Sequence, residues 1–530
     1  MARRLLALTT ALFALSATSA SAATICVPTG TGCDQIQPTL QGAINLAAGT
    51  PTVRDTIRLT AGDFTQNAVV IGTNPVDIVG AGQGTSGTIL RSPNSGFSLD
   101  IQSPGSTVSN LLVRVEPHTM FESGIGLSGA GAVADGVTVL GEPGVDNAVG
   151  VIVRTGAILR NSLVQVPGTG NANDAIGAEG SSLIENVSAA GDKMVDARDP
   201  GPPVVIRRLR SSTPSPIGIQ AIGEGSVNIS DALIRLSGGS IGGALYAETS
   251  AGGSPSIVAR HVTVVGTGDA VNAGRGVYAD GFDPGRTAVI DVRDSIFHAL
   301  STDLEVEASA PSSARIAIGY SNFNPAKIVD TGVGDGQVVT GAGNLVVNPG
   351  FVDGAAADFR LRADSPLIDR GFPGAGSTAD LDGAARPNDG NGDGVAVRDP
   401  GAFEYQRPAS PPGVTDSSAP LFRILSKRLK LDRRGRVALV LRGPANETTA
   451  SNGSLGLRSV RGRRMLGRKS FSLRPSARTV VNLKLTRKRA RRVRRLGKLR
   501  VILSVTARDG AGNARIVRKR VMLRALQTRN

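Results

Sequence analysis

Three short clusters carry side chains whose chemistry could go beyond structure. Asp192, Asp196, Arg198 and Asp199 fall just before Pro200-Gly-Pro-Pro203. Carboxylates beside an arginine are what a lyase site needs, acids to hold a cation and an arginine to take a proton. Solvated loop charges explain the same run, and no second motif supports the catalytic reading. The segment Asp389-Gly-Asn-Gly-Asp-Gly394 places Asp389, Asn391 and Asp393 as the first half of an EF-hand-type calcium loop does, with glycine at the sharp turn. Its far end departs from that pattern, because Pro400 stands at the twelfth position and leaves Asp399 or Glu404 to replace the usual Glu. The alternative is an unliganded Asn/Asp/Gly turn; a real site would be structural calcium that catalyses nothing.

The third cluster is the run Arg487, Lys488, Arg489, Arg491, Arg492, Arg494 and Arg495. Such a density of cations favours an anionic polymer through counterion release and direct pairing. Aromatic residues to stack bases are missing, so cell-wall polyanions or acidic glycans are the expected partners rather than nucleic acid. The plain alternative is a solvated basic face, or one that docks on acidic parts of the same chain.

The charge of the chain is sharply divided. Residues 418 to 530 hold 33 Lys+Arg against 3 Asp+Glu, while the residues before them hold 26 against 40. With Gly 68, Trp 0, Tyr 4 and 3% aromatic residues, the core must be filled by small and branched aliphatic side chains. At the start, Arg3 and Arg4, an apolar run from Leu5 to Leu15 and Ala20-Ser21-Ala22 read as a signal peptide over residues 1–22. That run is shorter than the roughly 20 residues a membrane span requires. Secretion, with retention at the cell envelope, is therefore expected. In that compartment Cys26 and Cys33 would form a disulfide, and no second Cys or His pair stands near them to complete a zinc site.

The elements that must position these groups follow a repeat. Val108-Ser-Asn-Leu-Leu-Val-Arg-Val115, Val133-Ala-Asp-Gly-Val-Thr-Val-Leu140 and Leu159-Arg-Asn-Ser-Leu-Val-Gln-Val166 share one pattern, with later copies at Ile184, Ile229, Val258 and Val292. The polar turn residues Asn110, Asp135, Asn161 and Asn186 step by 25, 26 and 25. A period of that length with alternating aliphatics predicts one turn of a parallel β-helix, each rung burying what its neighbour cannot. A β-sandwich of short strands is the competing architecture. Ahead of the repeat, Ile36, Leu40, Ala43, Ile44, Leu46 and Ala47 trace the apolar face of a short capping helix ended by Gly49.

The repeat, the Gly80-Ala-Gly82 opening and the helical cap resemble the pectate-lyase-like right-handed β-helix proteins, over about residues 35 to 345. The string Asn348-Pro-Gly-Phe-Val-Asp353, Ser365-Pro-Leu-Ile-Asp-Arg-Gly371, Asp380-Leu-Asp-Gly383, Arg386-Pro387 and Asp399-Pro-Gly-Ala-Phe-Glu-Tyr405 resembles the closing module of choice-of-anchor β-helix proteins of bacterial surfaces. Alternating segments at 437–441, 480–485, 499–507 and 516–523 resemble Ig-like or fibronectin-like modules, without the usual core Trp. The expected organisation is all-β: a right-handed parallel β-helix over 23–345, a closing module over 346–405, a Pro/Ser linker over 406–420 and a small basic β-sandwich over 421–530.

The resemblance also implies a groove in which acidic polysaccharides are cleaved by clustered carboxylates, sometimes with calcium. The glycosidase members' paired Asp-Asp and Gly-His-Gly are absent, and His118, His261 and His298 are scattered. Several acids, among them Asp135, Asp231 and Asp294, occupy the turn position and have a structural reason to be there. The expectation is a monomeric, non-catalytic glycan-binding or adhesive scaffold held at the envelope by its basic end, with no required cofactor. A polysaccharide lyase or glycoside hydrolase is the alternative.

Overall fold

The computed structural model describes residues 21–526 apart from 50–52, 119–120, 155, 169–171, 239–241, 251, 268–272, 409–417, 448, 461–463 and 511. Most of the expected signal peptide and most of the linker lie outside the described residues. The chain divides into two compact units, Met1–Arg407 and Pro408–Asn530.

In the first unit, alternation along each strand sends every second side chain inward, and the repeat places equivalent residues on top of one another. Ile78, Val108, Ala134, Leu159, Ile184, Ile206, Ile229, Ala259, Val292 and Ile318 pair in register, each with the next, as one continuous inner column. All ten are buried. Burying each Val, Leu or Ile of this column is worth about 1.5–3 kcal/mol and each Ala less, so the solenoid is held by many modest contributions. The result is a parallel β-solenoid of about ten turns, with one large sheet of twenty strands and a smaller one of eleven. The smaller sheet runs from Ala68–Val70 to Ile328–Gly332, one strand per turn.

The large sheet bends sharply once per turn, and the residue at the bend is left-handed. Asn110, Asn161, Asn186, Asp231 and Asp294 take φ between 51° and 58° there. Asn and Asp tolerate this region because their short polar side chains bond locally. Asn186 Nδ2 donates to Asn161 Oδ1 and Asn161 Nδ2 to Asp135 Oδ1, both at 2.8 Å, so the polar positions form a ladder. In the second copy the left-handed residue is Gly136 (φ 62°) rather than Asp135, and the irregular rung between Asn186 and Asp231 puts Arg208 (φ 54°) there.

The N-terminal helix is Leu40–Ala48, with Thr39 Oγ1 accepting from the Gly42 N–H at 3.1 Å. Leu40, Ala43, Ile44 and Ala47 join the core, whereas Ile36 lies outside the helix in the two-residue strand Gln35–Ile36 and is exposed. The sulfurs of Cys26 and Cys33 are bonded beside it.

Residues 346–407 are loop-rich apart from the hairpin of Phe351–Asp353 and Asp358–Leu361. The closing module expected over 346–405 does not lie over the last rung, whose strand Asp335–Thr340 stays mostly exposed; this segment turns back along the flank of the large sheet. Phe359, Leu381, Ala402 and Phe403 pack on Leu233 and Val265, and Leu361, Leu367 and Ile368 on Ile296. The physical reason is charge as well as apolar contact: Arg386, fully buried, reaches Asp231 and Glu404 at 3.0 Å each.

The second unit is a sheet-rich region whose eight strands join in one hydrogen-bonded sheet around Leu429, Leu439, Leu457, Leu503 and Val505. It includes Arg436–Arg442, Arg478–Lys484, Lys498–Arg508 and Ala514–Ala525. The basic run is a helix, Arg487–Leu496, that buries only Ala490 and Val493.

Candidate functional site

The outward face of the smaller sheet carries the chemistry. Its central outward column reads Asp196, Gln220, Tyr246, Tyr278 and Glu305 on consecutive turns. Beside it stand Glu248, Asp280 and Glu307 in register, and on the other side Asp174 and Lys193. Parallel strands lie about 4.8 Å apart, so these columns are ladders of closely spaced polar groups.

At one end, Lys193 Nζ bridges Asp174 Oδ1 (2.8 Å) and Asp196 Oδ2 (3.0 Å), and Arg198 grips the same Asp196 oxygen at 2.5 and 2.8 Å. Burial, then repulsion from Asp196, pushes Asp174 up to about 6 despite Lys193. Lys193 is opposed by burial but held above its usual range by the two aspartates. Asp196 Oδ1 is buried with no hydrogen-bond partner among the described residues. Phe121, Asn147, Ile152 and Arg154 help to wall this end into a cleft of about 470 Å³.

At the other end the Tyr246 and Tyr278 rings stack, 4.9 Å between centroids and 2° from parallel. The Arg275 guanidinium lies over the Tyr278 ring at 4.6 Å and bonds Glu305 at 2.6 Å. Tyr278 donates to Glu307 at 2.6 Å, and Gln220 to Glu248 at 3.2 Å. Burial, followed by Glu307 and Glu248, raises Asp280 to about 6. Burial also raises both tyrosine hydroxyls, aided by Glu248 at Tyr246 and by Glu307 at Tyr278.

Of the three sequence candidates, Asp196 and Arg198 share this face, but Asp192 does not belong with them. Its Oδ2 accepts from the Ala172 and Asn173 N–H groups at 3.0 Å, fixing the loop ahead of the Asp174 strand. Arg198 is no proton acceptor: burial opposes its charge, yet the Asp196 hydrogen bonds hold it further above its usual range. The 389–394 loop closes on itself. Asp389 accepts from Gly392 and Gly394, Asn391 from Asp393, and Asp393 from Val395. Asp399 does not join them, being buried with its oxygens on the Asp369 and Tyr405 N–H groups. Among the described residues no group of three His, Cys, Asp or Glu side chains could hold a metal ion. The scattered histidines do not converge: His118 Nε2 lies 3.2 Å from the Ser92 carbonyl, His261 is buried against the Asp399 carbonyl and held well below its usual range by burial and then Arg386, and His298 packs edge-on against Phe351.

Lys193, Tyr246 and Tyr278 are absent from the sequence candidates. A signal was present, because Leu245-Tyr-Ala-Glu248 and Val277-Tyr-Ala-Asp280 are near-copies 32 residues apart.

The two sheets and their one-turn register define the class of protein, a parallel β-solenoid. No family model matches the chain, and no curated protein does. Among solved structures, the tailspike protein gp49 from Acinetobacter baumannii bacteriophage Fri1, a capsular polysaccharide depolymerase, aligns with a TM-score of 0.28 and 9% identity. That alignment spans 94% of this chain and 78% of the other. The class assignment rests on the strand register itself. No helix among the described residues is long and apolar enough to cross a membrane.

Proposed function

We propose that this chain is a secreted, envelope-held β-solenoid that binds a polysaccharide along the outward face of its smaller sheet. The stacked Tyr246–Tyr278 pair, set among acids and amides in register, carries the reading. The ring faces are turned to each other and to Arg275 and each tyrosine is only 5% exposed, so a sugar would meet the outer rim of the stack, while the flanking carboxylates Glu248, Asp280 and Glu307 offer bonds to its hydroxyls. The rungs repeat along the solenoid axis as sugars repeat along a glycan, which suits an extended polymer better than a compact ligand. Within this reading the solenoid is pectate-lyase-like, the 346–405 segment is of the choice-of-anchor type and the second unit is an Ig-like module. The cations of Arg487–Leu496 contact wall polyanions, and no cofactor is required.

A second reading, a glycoside hydrolase, is favoured by one observation. Asp280 keeps its proton to about pH 6 and stands one rung from both Glu248 and Glu307. A raised acid beside further carboxylates is what general acid catalysis of glycosidic cleavage requires. Reducing-end and unsaturated-product release from a panel of acidic and neutral polysaccharides separates the two. Retention without product supports the binder; product abolished by Asp280→Asn makes the chain a hydrolase; unsaturated product makes it a lyase.

A further inference from the structure

On the large sheet, the column just before the left-handed turn reads Glu185, Arg207, Ser230, Arg260 and Arg293 on consecutive rungs. Three guanidiniums therefore stand within three rung spacings, roughly 15 Å. Like charges so placed repel one another. Arg398 reaches the same place from the folded-back segment, its Nε and Nη1 fixed by the Ser377 and Gly374 carbonyls at 2.9 and 2.7 Å. With Arg208 from the turn, they line a cleft of about 410 Å³ whose other wall is Phe372 and residues 375–379; Glu185, Asp231 and Asp294 line it too, Asp231 being held by Arg386 and Ser377 and Asp294 by the Phe372 N–H.

The counter-charges do not saturate it. Arg260 pairs with Asp291 and Arg208 with Glu185, at 3.0 and 3.1 Å. Arg293 lies flat over Phe372, 4.3 Å from the ring centroid; its buried Nε, 3.5 Å from Asp294, makes no hydrogen bond. The Nε of Arg208 is likewise buried without a partner among the described residues, and the exposed Arg207 side chain makes neither hydrogen bond nor ion pair with them. Two buried Nε donors, of Arg208 and Arg293, thus stay open at the cleft, and the exposed Arg207 adds an unpaired cation at its mouth.

We propose that this cleft binds the oxyanion group of an acidic saccharide, a sugar phosphate or a uronate, at a site separate from the face of the smaller sheet. Guanidinium forks match the paired oxygens of both groups, and a neutral sugar gives them nothing to hold. The site does not depend on the glycan reading, since no residue is shared.

Calorimetric titration of the full chain with glucose 1-phosphate, galacturonate and glucose tests it. One saturable equivalent of at least one of the two acidic sugars, and none of glucose, is expected; which one binds identifies the oxyanion. Arg207→Glu should weaken it at least tenfold with an unchanged melting temperature, while Arg492→Glu in the basic helix and Tyr278→Ala leave it intact. No saturable binding of either acidic sugar, equal binding by Arg207→Glu, or loss through Arg492→Glu would overturn the proposal.

Discussion

Tyr246 and Tyr278 stack on consecutive rungs of the smaller sheet, and the Tyr278 hydroxyl is fixed by Glu307 at 2.6 Å. Registered strands hold both rings before any ligand arrives, which spares the ordering cost of a flexible site. Tyr278→Phe keeps the stack but leaves Glu307 without its donor. The expected cost is about 1 kcal/mol in urea unfolding, with glycan affinity changed less than twofold.

Lys193 stands between Asp174 and Asp196 with a side chain only 10% exposed. Lys193→Met removes the shared cation and leaves two buried carboxylates facing each other. Breaking a buried pair in this way costs about 3–5 kcal/mol. Equilibrium unfolding at pH 7 should show that loss, and the double variant Lys193→Met/Asp174→Asn should recover part of it.

Asp280 has a folded-state value near 6 against 3.8 for the free group, raised by burial first and then by Glu307 and Glu248. Between those values the folded chain binds more protons than the unfolded one, so stability falls as pH rises through this window. Asp174, near 6 as well, acts in the same direction. Melting temperatures from pH 4 to 7 should fall less steeply in Asp280→Asn than in the natural chain.

Arg386 joins the folded-back segment to the solenoid across 155 residues through Asp231. Arg386→Met strands the buried carboxylates of Asp231 and Glu404 together. We expect about 3–5 kcal/mol of lost stability and early proteolytic cleavage within residues 346–407, while the inner aliphatic column persists.

The solenoid was legible because its physics is local and periodic. Asn110, Asn161 and Asn186 recur where a left-handed turn recurs, and Val108, Leu159 and Ile184 recur where the core does. The folded-back path of residues 346–407 was not legible, since its contacts with Leu233, Val265 and Asp231 join residues far apart in sequence, 155 positions for Arg386 and Asp231, and have no period. The site was half legible. Asp196 and Arg198 are close in sequence, but Asp174 and Lys193 meet only through strand register. Asp192 looked like their companion because proximity in sequence says nothing about which side of a strand a carboxylate takes.

Retardation of the full chain in polysaccharide-containing native gels at 0.3 M salt tests the central claim most directly, with the double variant Tyr246→Ala/Tyr278→Ala run beside it. The salt suppresses contacts made by the basic helix. The account predicts that at least one polysaccharide slows the natural chain and that the double variant, still folded, migrates freely. Equal retardation of both proteins, or none with any polysaccharide, would contradict it.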